Sequence, residues 1–268
     1  MRHPILCVLV IFFCLPAFSQ LANPNDAALS KARGLYDAPF TRQLVSFDCA
    51  VQFDWKKHFL ETLGTIPPAP ITTIDQLQTI EHRVFVDRTG AVVSQVPKAT
   101  DLSRVPHATD LENAFQAVAA SGINAWIPFA TNVILPLKPT NFTFQSVDSG
   151  FEIVMSGTNV SATLMLLPDM RISKVVSELP QPLHFTTDFV SGPYGFLLKS
   201  VRTGSGTSNQ DAWDAYFAYT YQGVQGIQLP GTVAVTQSAT GEKWGYSLTD
   251  CKAATGITLK VEAPKRQR

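Results

Sequence analysis

Charged residues are scarce in this sequence. Asp, Glu, Lys and Arg together make up 16% of the chain, against about a quarter in a typical soluble domain. Basic and acidic residues are equal in number, at 21 each, so the overall charge offers no basic surface for nucleic acid and no attraction to an anionic membrane. We therefore expect no nucleic-acid partner, and such low charge suits an exported protein with much β-sheet.

Residue spacings that mark metal sites and common catalytic sites are also missing. His58, His82, His107 and His184 form no His-Glu-x-x-His motif, and the chain has no Gly-x-Ser-x-Gly turn for a nucleophile. The glycine-rich segment 202–210 lacks the lysine and the following helix of a phosphate-binding loop. The sequence therefore predicts no metal, no cofactor and no enzymatic activity. An unrecognised hydrolase remains a hypothesis, ranked third after the two binding functions given at the end of this section.

Long apolar runs are confined to the N-terminus. Arg2 precedes an apolar stretch at 5–15, and Ala17 and Ser19 place small residues at the positions that a signal peptidase reads. The stretch is too short to span a bilayer as a helix. Residues 1–19 are predicted to be a signal peptide, with an uncleaved membrane anchor as the alternative. Residues 20–268 are predicted to be a single domain without a stable transmembrane anchor.

Cysteine is rare in this sequence. After the predicted signal peptide the chain contains only Cys49 and Cys251. In an oxidising compartment an isolated pair is more often disulfide-bonded than free. A bridge would close nearly the whole exported chain, which the chain-entropy model values at about 5 kcal/mol. We predict a Cys49–Cys251 disulfide in an exported, periplasmic protein of the bacterial envelope, with two buried thiols as the alternative.

The first half of the chain mixes helices with strands. Alternating apolar and polar residues predict a strand over 46–55, and the pattern of 82–96 predicts a hairpin. Thr109, with Glu112 three residues later, has the pattern of a helix-capping box. The helix that follows is predicted to end near Gly122.

An unusually apolar segment with a central proline follows at 125–135. We interpret it either as a buried connector within a helical insert near 100–135, or as a lid that covers an apolar cavity. The residues proposed for such a lid are Trp126, Ile127, Phe129 and Ile134.

Residues 140–262 consist of short strands that recur every 8 to 12 residues or so, which predicts one large antiparallel sheet. Their apolar side chains exceed what one sheet face packed by three short helices needs. A strongly curved sheet around helices has a concave apolar side, which either fills with side chains or holds a lipid-sized ligand. The candidate lining residues are Phe142, Phe144, Phe151, Ile153, Met155, Leu164, Leu166, Phe185, Phe189, Phe196 and Leu198.

Several segments of this half resemble the LolA-like and LppX-like superfamily of outer-membrane lipoprotein carriers. These segments are 171–176, 194–198 and 248–252, together with Gly226-Ile-Gln-Leu-Pro230, which is similar to the Gly-x-x-Leu-Pro turn of that superfamily. The resemblance implies an α+β fold in which an unclosed β-barrel, a strongly curved antiparallel β-sheet, wraps around a few helices and encloses a hydrophobic cavity for acyl chains. The front half does not match a plain lipoprotein carrier, so no polar gating residue is transferred.

We therefore expect an exported, non-catalytic carrier or sensor whose partner is a lipid or an acylated protein. Apolar side chains alone would hold the ligand. The alternative is an envelope protein that binds another protein and has a filled core and an exposed apolar patch. The two hypotheses differ in whether the concave face of the sheet accepts a ligand.

Overall fold

A computed structural model describes residues 24–63, 71–96, 107–135, 141–157, 160–179, 182–205 and 213–256. The predicted signal peptide at 1–19 lies outside the described residues.

A single twelve-stranded antiparallel sheet contains every strand of the described residues. Its spatial order is β3-β2-β1-β12-β11-β10-β9-β8-β7-β6-β5-β4, with β3 and β4 at the two edges, so the sheet does not close on itself. This open sheet confirms the predicted fold class. The strands are β1 (Leu44–Phe53), β2 (His82–Asp87), β3 (Ala91–Gln95), β4 (Phe142–Val147), β5 (Gly150–Gly157), β6 (Val160–Leu166), β7 (Ile172–Leu179), β8 (Leu183–Gly192), β9 (Gly195–Ser205), β10 (Ala215–Val224), β11 (Ile227–Gln237) and β12 (Lys243–Thr255).

The helices lie against one face of this sheet. In β1, for example, Phe47, Cys49, Val51 and Phe53 are buried on that face while the residues between them are more exposed, as the period of two in a strand requires. The helices are α1 (Pro24–Gly34), α2 (Pro39–Arg42), α3 (Trp55–Leu63), α4 (Ile71–Leu77) and α5 (Ala108–Ala130).

Helix α5 crosses the strands. Near its start the Phe115 ring stacks on Phe53 of β1, with ring centroids 4.5 Å apart. Near its end Phe129 packs edge-on against Phe189 of β8, at 5.9 Å. A helix of 23 residues is about 34 Å long. Helix α5 is therefore long enough to pack against most of the strands in the sheet.

The sheet curves around the second half of α5. Trp126 packs against Phe47 of β1, at 6.1 Å, and its side chain also lies close to the hydroxyl of Tyr221 in β10. These two strands are separated by β12 and β11, which corresponds to about 14 Å in a flat sheet. One side chain contacts both because the sheet wraps around the helix.

Two predictions for α5 were wrong. The helix does not end at Gly122 but continues to Ala130, through Pro128. Thr109 does not cap it, because the helix begins at Ala108 after His107, and Glu112 is buried against another strand instead. Both errors arise because long-range contacts of the helix outweigh the local signals.

Candidate functional site

The predicted lining residues lie on one face of the sheet, in rows that cross neighbouring strands. Phe144 is opposite Ile153, Ile153 is opposite Leu164, and Leu164 is opposite Val175. The row continues to Phe185 of β8. Because side chains that face each other across a ladder share a side of the sheet, these residues form one continuous apolar strip on the side that carries the helices. We call this side of β4–β9 the apolar face.

The lining residues differ in how far the protein itself covers them. Those in the middle of the face are buried, whereas the phenylalanines towards its margins are half-buried and pack against the core. The buried ones are Ile153, Met155, Leu164, Leu166, Phe189 and Leu198. The half-buried ones are Phe142, Phe144, Phe151, Phe185 and Phe196.

The four residues proposed for a lid belong to the end of α5 and the turn after it. Trp126, Ile127 and Phe129 are buried in the core, and Ile134 is partly buried against it. In this structure they pack into the concave side of the sheet, as the alternative of a buried connector predicted. Whether they also move to admit a ligand stays a prediction.

Tyr36 is a site residue that the sequence patterns did not reveal. Its ring packs against Phe189 and Phe196, with centroids 5.1 and 6.2 Å away. Its hydroxyl donates to the carbonyl of Met170 at 3.0 Å and accepts from the amide of Ile172 at 2.6 Å. Burial raises the pKa of this hydroxyl well above its ordinary value. No local pattern marks this role, because its partners lie more than a hundred positions away.

The predicted disulfide is present and joins Cys49 of β1 to Cys251 of β12. The ladder between these strands shifts register at this point, and Asp250 adopts a left-handed backbone conformation with φ of 47°, as an inserted bulge residue does. Gln222 of β10 donates hydrogen bonds to the carbonyl of Leu248 at 2.8 Å and to the Cys251 sulfur at 3.4 Å. The bridge is therefore integrated into the core of the sheet.

A groove of about 1090 Å³ lies next to α3, along β1, β11 and β12. Small residues of β1, β11 and β12, such as Ala50, Ala234 and Gly245, line it together with charged residues of both signs. Lys56 is paired with Asp75, 2.8 Å away. This mixture of charges selects no ligand class, so we assign the groove no function.

A buried pair of titratable groups lies where α5 crosses β2. His82 Nε2 and Glu112 Oε1 are hydrogen-bonded, and each side chain is 3% exposed. Gln116 also donates to Glu112, at 2.7 Å. Both side chains are almost fully buried, so in this conformation the pair forms a structural contact between α5 and β2.

His58, on α3, is also buried and has a structural role. Its Nδ1 is 2.8 Å from the carbonyl of Lys243, and its ring stacks on Trp244 at 4.0 Å. Burial is the main reason that the pKa of His58 lies below its ordinary value. The histidine therefore connects α3 to the start of β12.

Within the described residues, no group of three or more His, Cys, Asp or Glu side chains is arranged to hold a metal ion. No described helix is both long and apolar enough to cross a membrane.

Comparison with known proteins found a likeness to one solved structure. No protein-family model matches the chain, and no curated protein matches it. The solved structure is a domain from Vibrio parahaemolyticus named for outer membrane lipoprotein sorting. The likeness covers 87% of this chain and 92% of that one, with 10% sequence identity and a TM-score of 0.25. At that TM-score the likeness indicates neither a shared fold nor a shared function.

Proposed function

We propose that this protein is an exported, non-catalytic carrier or sensor that binds an acyl chain of a lipid or a lipoprotein against the apolar face. One observation carries the proposal. The row of residues that crosses β4–β8 on the helix side forms a continuous apolar strip, and the phenylalanines at the margins of the apolar face are only half-buried. An apolar ligand would complete the burial of these rings.

Burial of hydrocarbon is sufficient to hold such a ligand. Each methylene group removed from water contributes about 0.8 kcal/mol, so a chain of ten carbons has several kcal/mol available without a charged contact. The inward row from Phe144 to Phe185 contains no charged residue. A site of this kind would distinguish ligands by chain length and shape.

The disulfide supports export. Disulfides persist in oxidising compartments and are rare in reducing ones, and Cys49 and Cys251 are bonded in this structure. Together with the predicted signal peptide, this favours the periplasm as the place where the protein works.

The proposal is tested by placing a charge on the apolar face. Phe144 is half-buried, so we expect Phe144→Asp to abolish ligand retention before it abolishes folding, because it puts a carboxylate where the acyl chain would lie. We expect the affinity for a fluorescent fatty-acid probe to fall by about tenfold or more, since burying an unpaired charge is costly. Thr143→Asp is the matched control, because Thr143 is the exposed neighbour on the same strand and points to the other face. Equal affinity of the two variants would contradict the proposal.

A second function is favoured by a different observation. Phe85 and Val92 are directly paired between β2 and β3 and are 47% and 63% exposed. Such an apolar pair on the outer face suits an envelope protein that binds another protein. If native mass spectrometry of protein purified from its own envelope finds no lipid and the fatty-acid probe does not bind, this second function replaces the first.

A further inference from the structure

Two neighbouring hairpins carry exposed apolar side chains at one end of the sheet. The turn between β6 and β7 exposes Leu167 and Pro168, and the turn between β8 and β9 exposes Pro193 and Tyr194. Val190, just before the second turn, is 43% exposed. Strands β7 and β8 are paired, so both turns are at the same end. We call these five residues the tip patch.

Contacts with the segment after α1 hold the two hairpins together. The Tyr36 hydroxyl bonds to Met170 and Ile172 of the first hairpin. The amide of Asp37 donates to the carbonyl of Phe196, in β9 of the second hairpin, at 3.0 Å. Gly195, with φ of 137°, lies so close to this segment that an added Cβ would be 2.6 Å from the carbonyl of Leu35. The tip patch is therefore presented on a fixed support.

Arginine side chains lie over aromatic rings at the base of the patch. The Arg42 guanidinium is 4.3 Å from the centroid of the Tyr194 ring, and the Arg171 guanidinium is 5.5 Å from that of Phe196. Arg42 is also paired with Asp37, and Arg171 with its neighbour Asp169. Exposed apolar and aromatic tips above arginines are typical of protein surfaces that lie at the boundary between lipid and water.

The tip patch lies next to the end of the apolar face. Leu166, the last residue of β6, lies on that face opposite Phe151, and Leu167 begins the turn that follows it. Phe196, two residues after Tyr194, is one of the half-buried rings at its margin. An acyl chain that left a bilayer at the tips would therefore meet apolar side chains at once.

We propose that the tip patch docks on the surface of a lipid bilayer, with Leu167 and Tyr194 inserted among the lipid headgroups. This inference deepens the proposed function, on which it rests, by identifying where the protein would receive or deliver its acyl chain. Because the arginines are paired with carboxylates, docking depends on apolar insertion and differs little between neutral and anionic bilayers.

The experiment is flotation of the purified protein with phosphatidylcholine vesicles, with and without phosphatidylglycerol. The double variant Leu167→Glu/Tyr194→Glu is expected to lose about tenfold or more of the vesicle-bound fraction, since charged groups insert poorly into lipid. Phe85→Glu/Val92→Glu is the matched control, because it adds the same charge at two exposed apolar residues on another part of the sheet. Parent and variants share residues 1–23, so that segment cannot cause a difference between them.

The outcomes separate the inference from the proposed function. If the tip variant floats as well as the parent, or if the Phe85 and Val92 variant loses as much, the inference is wrong. If the tip variant still binds a soluble fatty-acid probe but no longer floats, both proposals stand. If the parent floats through the tips but binds no probe, the proposed function fails and the docking surface stands.

A second measurement avoids dependence on charged variants. In Tyr194→Trp, the added indole replaces an exposed ring of similar size at a turn. We expect brominated lipids in the vesicles to quench its fluorescence. Quenching no greater than that of a Phe85→Trp control would overturn the inference.

Discussion

Glu112 shows how a tertiary contact changes the role of a single side chain. In sequence it follows Thr109 by three positions, which is the pattern of a capping box. In the structure its carboxyl is hydrogen-bonded to His82, 30 positions earlier, and the Glu112 side chain is 3% exposed. Burial alone would raise the pKa of this carboxyl, but the hydrogen bonds from His82 and Gln116 outweigh burial and place its pKa below the ordinary value.

The first prediction concerns this pair. At pH 7, His82→Leu is expected to lower the free energy of unfolding by about 3–5 kcal/mol, because it leaves a buried carboxylate without its main partner. In the parent, Glu112 has a lowered folded pKa, so its contribution is complete above the unfolded pKa and is lost as pH falls through the folded pKa. In His82→Leu burial is no longer opposed by the histidine, so the carboxyl becomes neutral on acidification and the difference between the two proteins should shrink as the pH falls.

Urea unfolding at pH 7 and pH 4 provides the measurement. The double variant His82→Leu/Glu112→Leu serves as the control and should recover much of the loss at pH 7, because both polar partners are then replaced together. A difference that is the same at both pH values would show that the histidine contributes by packing alone.

At the scale of elements, the approach of α5 to the sheet depends on Gly122. An added Cβ at this position would lie 2.6 Å from the Tyr246 hydroxyl and 2.9 Å from Val233. That hydroxyl donates to the carbonyl of Ala119, and Tyr219 donates to the carbonyl of Gly122 itself. The glycine therefore permits close packing in the middle of a helix, whereas its usual local meaning is a helix end.

The second prediction follows from that contact. In an open helix Gly→Ala would stabilise by about 1 kcal/mol, but here overpacking should reverse the sign and destabilise by about 1–3 kcal/mol. Adding Tyr246→Phe removes the oxygen that clashes, so the double variant should recover part of the loss. Gly34→Ala at the end of α1 is the control, because nothing lies within 4 Å of its added Cβ, and its midpoint of thermal unfolding should not fall.

The same elements show how far sequence could predict this fold. Strand β1 and the hairpin of β2 and β3 followed from alternation and turn residues, since both signals are local. The alternation within β4 and within β5 is equally local, but the common side of Phe144, Ile153 and Leu164 depends on the register between their strands, which the structure supplies. The extent to which α5 covers that side did not follow, because it depends on contacts such as those of Trp126 with β1 and β10.

At the scale of the whole molecule, the disulfide joins the first strand in sequence, β1, to the last described one, β12, which is its neighbour inside the sheet. Cys49 and Cys251 are 202 positions apart in sequence. The part of the chain between them that the structure describes contains strands β2 to β11. The chain-entropy model gives about 5 kcal/mol for a loop of this length, which is an upper expectation because engineered bridges commonly deliver less. The β1–β12 ladder itself does not need the bridge, since the strands pair along most of their length.

The third prediction separates these two contributions. Cys49→Ala/Cys251→Ala should lower the midpoint of urea unfolding and destabilise the protein by up to about 5 kcal/mol, while its far-UV circular dichroism stays like that of the parent. Reductant should shift the parent towards the variant and leave the variant unchanged. Unfolding curves that coincide with and without reductant in the parent would show that the bridge adds no stability. A loss of the sheet signal in the variant would instead show that β1 and β12 pair only when they are covalently joined, which would make an oxidising compartment a condition for folding.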